Sequence, residues 1–396
     1  MQSLSWPGVD AMRIHRIRGP VLALLLIVSW TESVESAAYD FTLVADTSGS
    51  IDGFNSNMFP SINAEGTVAF EAFLRTGVEG IFTGNGQILA PIATNIPPSP
   101  VSQFGPGQFS GPSINAAGTV AFKGVLSGGG FGIFTSHGGS LSPIADTNGS
   151  SSSLQGTAIN SLGAVAFGAD LRAGGSLILT GSGGSFTTIA HIGGLFGGTS
   201  INDRGTVAFA TNPIMPGAGL FTGNGGPLTT IIALSGSDVS QVGDHSINSN
   251  GSVAFEAFLL AGGMAILTGS GGPLTTIADN LGPFSFLSGP SINGEGRVAF
   301  LAGLDAGGAG IFIGPDVETN RIIGTGDRLF GSPVNFVEFG GGQSLNDAGQ
   351  IAFRAGLADG RIVVVRADPI PEPSSLFLLA FGALALLTGT RVGRSL

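Results

Sequence analysis

An all-β fold is what this sequence predicts: a seven-bladed β-propeller of four-stranded antiparallel blades, closed by an N-terminal strand. Three observations carry that expectation. The decapeptide Ser61-Ile-Asn-Ala-Glu-Gly-Thr-Val-Ala-Phe70 occurs, with small changes, seven times. Each copy is followed by the same succession of short apolar runs and glycine-rich turns, with no apolar stripe of helical period. A strand-like run stands alone before the first copy, while the last copy lacks its final run.

The repeat is built on an Asn-x-x-Gly step. It falls at Asn63 and Gly66, Asn115 and Gly118, Asn160 and Gly163, Asn202 and Gly205, Asn248 and Gly251, Asn293 and Gly296, and Asn346 and Gly349. Successive Asn residues lie between 42 and 53 positions apart, a period that signals a solenoid, propeller or array. Asn bonds its own backbone and tolerates left-handed dihedrals, and Gly takes positive φ without steric cost. Set between Ser-Ile and Val-Ala-Phe, the step reads as a hairpin loop, so the seven Asn are turn formers rather than catalytic amides. Each copy closes on a Phe, from Phe70 to Phe353, which belongs in the core because an aromatic ring buries a large apolar area.

In the first unit, residues 67–74 (TVAFEAFL) make one strand, residues 80–83 a second and residues 88–94 a third. The stretch before each Asn, such as residues 58–62, supplies the fourth. Both faces of a blade pack on neighbours, which explains why Val-Ala-Phe shows no polar alternation. Seven units of this kind fit a propeller. A linear β-solenoid is the rival. Closure discriminates them: residues 41–46 (FTLVAD) resemble the outer strands LSPIAD (141–146) and LTTIAD (274–279), and the unit ending in residues 361–366 (RIVVVR) lacks that strand. A ring can use one displaced strand, whereas a solenoid would want capping units.

The ends read as processing segments. Residues 1–38 carry Arg13, Arg16 and Arg18, a short apolar run at 21–30 and small residues at 36–38, the layout of a signal peptide cleaved before Tyr39. Met12 is a second possible start. Domain boundaries are therefore 1–38, 39–369 and 370–396. In the last segment Pro371-Glu372-Pro373 precedes an apolar stretch at 376–387 and a basic end with Arg391 and Arg394. This resembles the PEP-CTERM sorting signal. The resemblance implies handling by signal peptidase and exosortase and membrane contact through a C-terminal transmembrane helix before processing. It also implies delivery to the cell surface or extracellular matrix of a Gram-negative-type bacterium. An ordinary membrane anchor is the alternative. The repeated Asn-x-x-Gly-x-Val/Ile-Ala-Phe also resembles a family of exported tandem-repeat proteins with surface anchors, which implies architecture and location and no enzymatic activity.

Composition narrows the chemistry. The chain has no Cys, which removes disulfides and Cys-based metal sites. Its formal net charge of −11 disfavours nucleic acid and anionic lipid. His137, His191 and His245 occupy different places in their units, so no transition-metal site is expected. No nucleophile elbow or phosphate loop stands in the right context. Asp46, Asp146 and Asp279, and more loosely Asp327, end outer strands and are candidate calcium ligands, with turn capping as the competing role. Just after the closing Phe stand Glu71, Lys123, Glu256 and Arg354, read as ion pairs or edge charges. Both Trp fall in the signal and Tyr39 is the one Tyr, so aromatic sugar platforms are scarce. The expectation is a non-enzymatic exported propeller, a binding or structural module with a surface polysaccharide or protein as ligand and no cofactor beyond possible Ca²⁺. A glycosidase-like hydrolase using a carboxyl pair is the alternative.

Overall fold

The computed structural model describes residues 39–56, 58–105 and 111–371. The signal segment, Glu372, Pro373 and the apolar stretch at 376–387 lie outside these residues. Among the described residues there is no α-helix, and thus none long and apolar enough to cross a membrane.

Seven antiparallel sheets surround one axis as a seven-bladed β-propeller. Blade 5 shows the regular pattern, from the axis outward: Val239–Ile247, Val253–Leu259, Met264–Gly269 and Thr275–Asp279. The Asn-x-x-Gly step joins the innermost strand to the second. In all seven copies the Gly N–H donates to the Asn carbonyl, and the Gly adopts φ between 76° and 87°. That is a turn followed by a left-handed residue, a loop that closes a hairpin with little strain when the residue is Gly.

The Val-Ala-Phe run explains how blades stack. Val68 and Phe70 of blade 1 pack with Ala352 and Val364 of blade 7. Ala69 between them packs with Phe104 and Phe122 of blade 2. Val and Phe thus face the preceding blade, while the small Ala leaves room for the next blade's Phe. Seven apolar clusters result, one for each blade interface. Opposite each repeat Phe on the third strand sits another large apolar side chain in most blades. Phe70–Phe82 and Phe122–Phe134 are ring pairs of this kind, with centroids 6.2 and 6.1 Å apart.

The N-terminal strand Tyr39–Asp46 pairs antiparallel with Ile362–Pro369 and becomes the outermost strand of blade 7. Phe41 packs edge-on against Phe353, and Val44 and Ala45 enter the cluster between blades 7 and 1. The ring is closed by the chain's own first strand, as the displaced run predicts, and the solenoid is excluded.

The inner strands depart from expectation. Residues 58–60 are not a strand. In blade 1 the innermost strand is split into Ile51–Gly53 and Ser61–Ile62, and in blade 2 into Val101–Phe104 and Ser113–Ile114. In blade 7 it is Ser332–Glu338, then a loop, then a single bridge at Leu345. Blades 3 to 6 keep one unbroken inner strand each.

Candidate functional site

The seven Asn do more than form turns. Each side-chain Oδ1 accepts the N–H four residues on, as Asn63 does from Thr67 at 2.9 Å. Each Nδ2 donates to the backbone carbonyl of the next blade's Asn: 63 to 115, 115 to 160, 160 to 202, 202 to 248, 248 to 293, 293 to 346, and 346 back to 63. The amides form a closed, buried, seven-membered ring. Sequence reading missed it because each link joins residues more than forty positions apart. The signal was nonetheless present: a turn needs Asn or Gly, yet Asn recurs without exception.

A second set of polar groups, a Ser two residues before the Asn in six of the seven repeats (Ala158 stands there in blade 3), faces the axial channel. Ser113 Oγ accepts from Ile159 N at 2.9 Å, and Ser291 Oγ accepts from Leu345 N at 3.1 Å, each bridging to the next blade. Their protons go to the loop of blade 7, which crosses the channel. Gly342 O accepts from Ser246 and Ser291, both at 2.8 Å. The Gln343 side chain spans the channel, accepting from Ser113 at 2.6 Å and donating to Ile159 O at 2.9 Å. Phe59, from the break in blade 1, wedges in beside it. A Cβ on Gly111 would lie 2.9 Å from Phe59 O and one on Gly340 2.2 Å from the Phe59 ring, so only Gly fits at either position.

What the loop leaves open is a cavity of about 170 Å³, walled by Phe59, Thr199, Ser200, Asp244, Ser246 and Gln343 together with apolar inner-strand residues. Two polar groups in it are unspent. Ser200 is 6% exposed, and its hydroxyl has no hydrogen-bond partner. The Asp244 carboxyl takes no hydrogen bond or ion pair among the described residues, and burial pushes its pKa up to about 6. Burial pushes the neighbouring Glu256 up to about 7, helped by the Asp244 charge, although Asp244 N–H donates to it. Glu256 sits behind Gly243 rather than in the cavity wall. Next along the strand, His245 has both ring nitrogens against backbone carbonyls, Ala208 O at 3.2 Å and Gly243 O at 3.4 Å. Burial lowers its pKa and favours the neutral ring, whose single N–H can be given to only one of these two carbonyls.

The other charged positions after the repeat Phe are buried between blades: the ion-pair reading holds for Arg354, and the edge-charge alternative is corrected. Arg354 is paired with Glu338 and donates to Asn55 O. Asn55 in turn donates to Glu71 at 3.2 Å. Burial raises Glu71 to about 8, with the facing Glu79 carboxyl adding to the effect. Glu79 also accepts from Phe104 N at 3.1 Å. Lys123 lies 4.6 Å from the centroid of the Phe131 ring. The strand period explains the burial. These residues point the same way as the Ala two positions earlier, into the next blade.

The candidate calcium ligands are not brought together. Asp46, Asp146 and Asp279 end strands in blades 7, 2 and 5. Each caps its own turn, accepting from the N–H of Ser48, Asn148 and Leu281 at 2.9–3.0 Å. Asp46 also pairs with Arg361, and Asp327 with Arg321. No cluster of three or more His, Asp or Glu suited to a metal occurs among the described residues. Of the Pro-Glu-Pro motif, Pro371 is exposed just after the last strand, and Glu372 and Pro373 lie outside the described residues.

No curated protein matches the chain. A model described as a family of unknown function (DUF7453) matches residues 32–193, a span that includes the closing strand and the first three blades. Among solved structures, the chain is similar to the β-propeller domain of the Trilobed protease from Pyrococcus furiosus, with 14% identity, coverage of 67% of this chain and 83% of that one, and a TM-score of 0.50. It is also similar to oligogalacturonate lyase from Vibrio parahaemolyticus, with 11% identity, coverage of 85% and 99%, and a TM-score of 0.52. A puromycin-hydrolyzing peptidase from Mycobacterium tuberculosis gives 14% identity, 84% of this chain but 55% of the peptidase, and a TM-score of 0.54. At such identities the likeness is one of fold alone.

Proposed function

We infer that this is an exported propeller, sorted to the cell surface or extracellular matrix through its Pro371-Glu372-Pro373 tail, that binds a small polar ligand in its axial channel without chemistry. The observation that carries the binding reading is the cavity with a buried, unpartnered Ser200 hydroxyl and an unpaired Asp244 carboxyl. Buried polar groups are normally satisfied, and those left over in a cavity suit a ligand that completes them. Ring closure by the Asn amides and the N-terminal strand gives the site a rigid wall.

The hydrolase alternative is less well supported. A glycosidase needs two carboxyls flanking the bond, about 5–10 Å apart. Among the described residues lining this cavity Asp244 is the one carboxyl, and Glu71 and Glu79 face each other within a sealed blade interface. The acidic net charge and the absence of Cys accord with an exported binding module that meets neutral or cationic ligands.

Two measurements test the proposal. Intact-mass analysis of protein from its native host should give a chain from about Tyr39 to near Pro371; a mass that retains residues 376–396 would sink the sorting reading. Thermal shifts with a panel of monosaccharides should show stabilisation by some of them, and Ser200→Phe, which fills the cavity, should remove it. Stabilisation that survives Ser200→Phe places the ligand elsewhere.

A further inference from the structure

We propose that the axial cavity takes an amino-substituted monosaccharide, its ammonium group on the Asp244 carboxylate and an oxygen on the Ser200 hydroxyl. The inference rests on the channel-binding reading and adds the ligand's charge and size.

Size comes first. About 170 Å³ is close to a cavity of about 150 Å³ that holds one six-membered ring. A bare divalent cation is a poor match. It asks for six or more oxygen ligands at fixed short distances, whereas this cavity has one carboxyl in its wall and room for several waters.

Charge follows. Two acidic groups meet here, Asp244 in the wall and Glu256 behind it, and no Lys or Arg lines the cavity among the described residues. His245 is the other titratable group alongside; burial lowers its pKa, and the neutral ring gives its one N–H to Ala208 O or Gly243 O. An unpaired carboxylate in such a place is costly until a cation reaches it, and a charge-assisted hydrogen bond to an ammonium is about twice as strong as a neutral one.

The Ser200 hydroxyl is the independent observation. Its counterparts Ser113, Ser246 and Ser291 donate to Gln343 or Gly342 and Ser344 to Pro60 O, whereas Ser61 and Ser200 have no partner, and of these two Ser200 lines the cavity. Its donor is therefore free for an acceptor oxygen on the ligand. Phe59 and Leu345 supply apolar wall against which the C–H face of a pyranose can rest. A polyol ring carrying one amine matches all of these features.

Calorimetric titration of the full mature chain with glucosamine and with glucose tests the idea. At pH 7.5 glucosamine should bind at least about tenfold more tightly than glucose. Asp244→Asn, close in shape, should abolish the difference between the two sugars. Ser200→Ala should weaken both sugars. If Asp244→Asn does not fold, the pH arm stands in for it. At pH 5 Asp244, whose pKa is pushed up to about 6, is largely protonated, and the glucosamine advantage should fall about tenfold. Equal binding of the two sugars, or a glucosamine advantage unaltered by both Asp244→Asn and acidification, overturns the assignment of charge while the channel reading stands. Binding of neither sugar overturns this inference; an intact thermal-shift response to other monosaccharides, lost in Ser200→Phe, would then keep the channel reading.

Discussion

Blades 3, 4 and 6 and blades 7, 1 and 2 are built on variants of the same decapeptide and part company at the position just after its Phe. In the first group the residue after the repeat Phe is Gly168, Ala210 or Leu301, and the inner strand is unbroken. In the second it is Arg354, Glu71 or Lys123, and the inner strand is interrupted. The position points into the next blade, so a charge placed there must find partners in a dry interface. The interruptions supply them. Asn55 serves both Arg354 and Glu71, whereas the Lys123 ammonium meets the Phe131 ring and the Asp170 charge. The same breaks deliver Phe59 and the loop around Gly342 and Gln343 into the channel. Blade 5 is the exception, with Glu256 facing an unbroken inner strand, and it is where Asp244 stands unpaired over the cavity.

The largest effect should come from the one feature that joins both groups into a ring. Deleting residues 39–46 removes the outer strand of blade 7 and two core residues of the 7/1 interface. It also uncovers the edge of Ile362–Pro369, which could then recruit other chains. A loss on the order of 10 °C in melting midpoint, with aggregation, is expected. A loss of only a degree or two would show that the ring does not depend on its closing strand.

Next is the charged position itself. Arg354→Ala leaves Glu338 and the Asn55 carbonyl without their cation and should cost about 3–5 kcal/mol in denaturant unfolding. Leu301→Ala at the same position in blade 6 loses apolar packing only and should cost about 2 kcal/mol. Equal costs would mean that the buried charges are not what distinguishes the two groups.

These contrasts show how much was legible beforehand. The blade number, the core Phe residues and the closing strand follow from local pattern, because turn chemistry and strand period act over a few residues. The channel and the buried charges do not. Gln343 meets Ser113 and Ile159 across the ring, and no local rule links them. A trace did exist in the spacings. The two longest Asn-to-Asn intervals, 52 and 53, contain the interruptions of blades 2 and 7. The charges after Phe122 and Phe353 fall in the same blades, and only the fold turns those two coincidences into one cause.

Acidity should separate blade 1 from the exceptional blade 5. Glu71 and Glu256 have folded pKa values raised from 4.5 to about 8 and about 7. A raised carboxyl pKa means that the folded state holds a proton the unfolded state has released. Stability therefore falls as pH rises through the window from 4.5 to the folded value, and the fall ends near pH 8 for Glu71 and near pH 7 for Glu256. Between pH 6 and 8 Glu71 should account for a loss of about 2 kcal/mol. Glu71→Gln should flatten that stretch of the profile, whereas Glu256→Gln should flatten only the part below pH 7. Unchanged profiles in both variants would place the titrating groups elsewhere.

The smallest expected effect tests the seam where regular and interrupted blades meet. Six links of the Asn ring measure 2.9 to 3.2 Å, but Asn293 Nδ2 to Asn346 O, from blade 6 to blade 7, is 3.5 Å. A hydrogen bond weakens with such lengthening, and a typical buried one contributes about 1 kcal/mol net. Asn248 makes its link at 2.9 Å and accepts from Asn250 and Ser252 N–H; Asn293 accepts from Arg297 N–H. Asn248→Ala should therefore cost about 1–2 kcal/mol and Asn293→Ala roughly half as much. Gly294 N–H already bonds Asp347 at 2.6 Å across the same seam, so the joint keeps a second tie when its amide is gone. Combining Asn293→Ala with Asp347→Ala removes both ties, and the pair should cost more than the sum of the two single changes. Strict additivity would show that the two ties are independent.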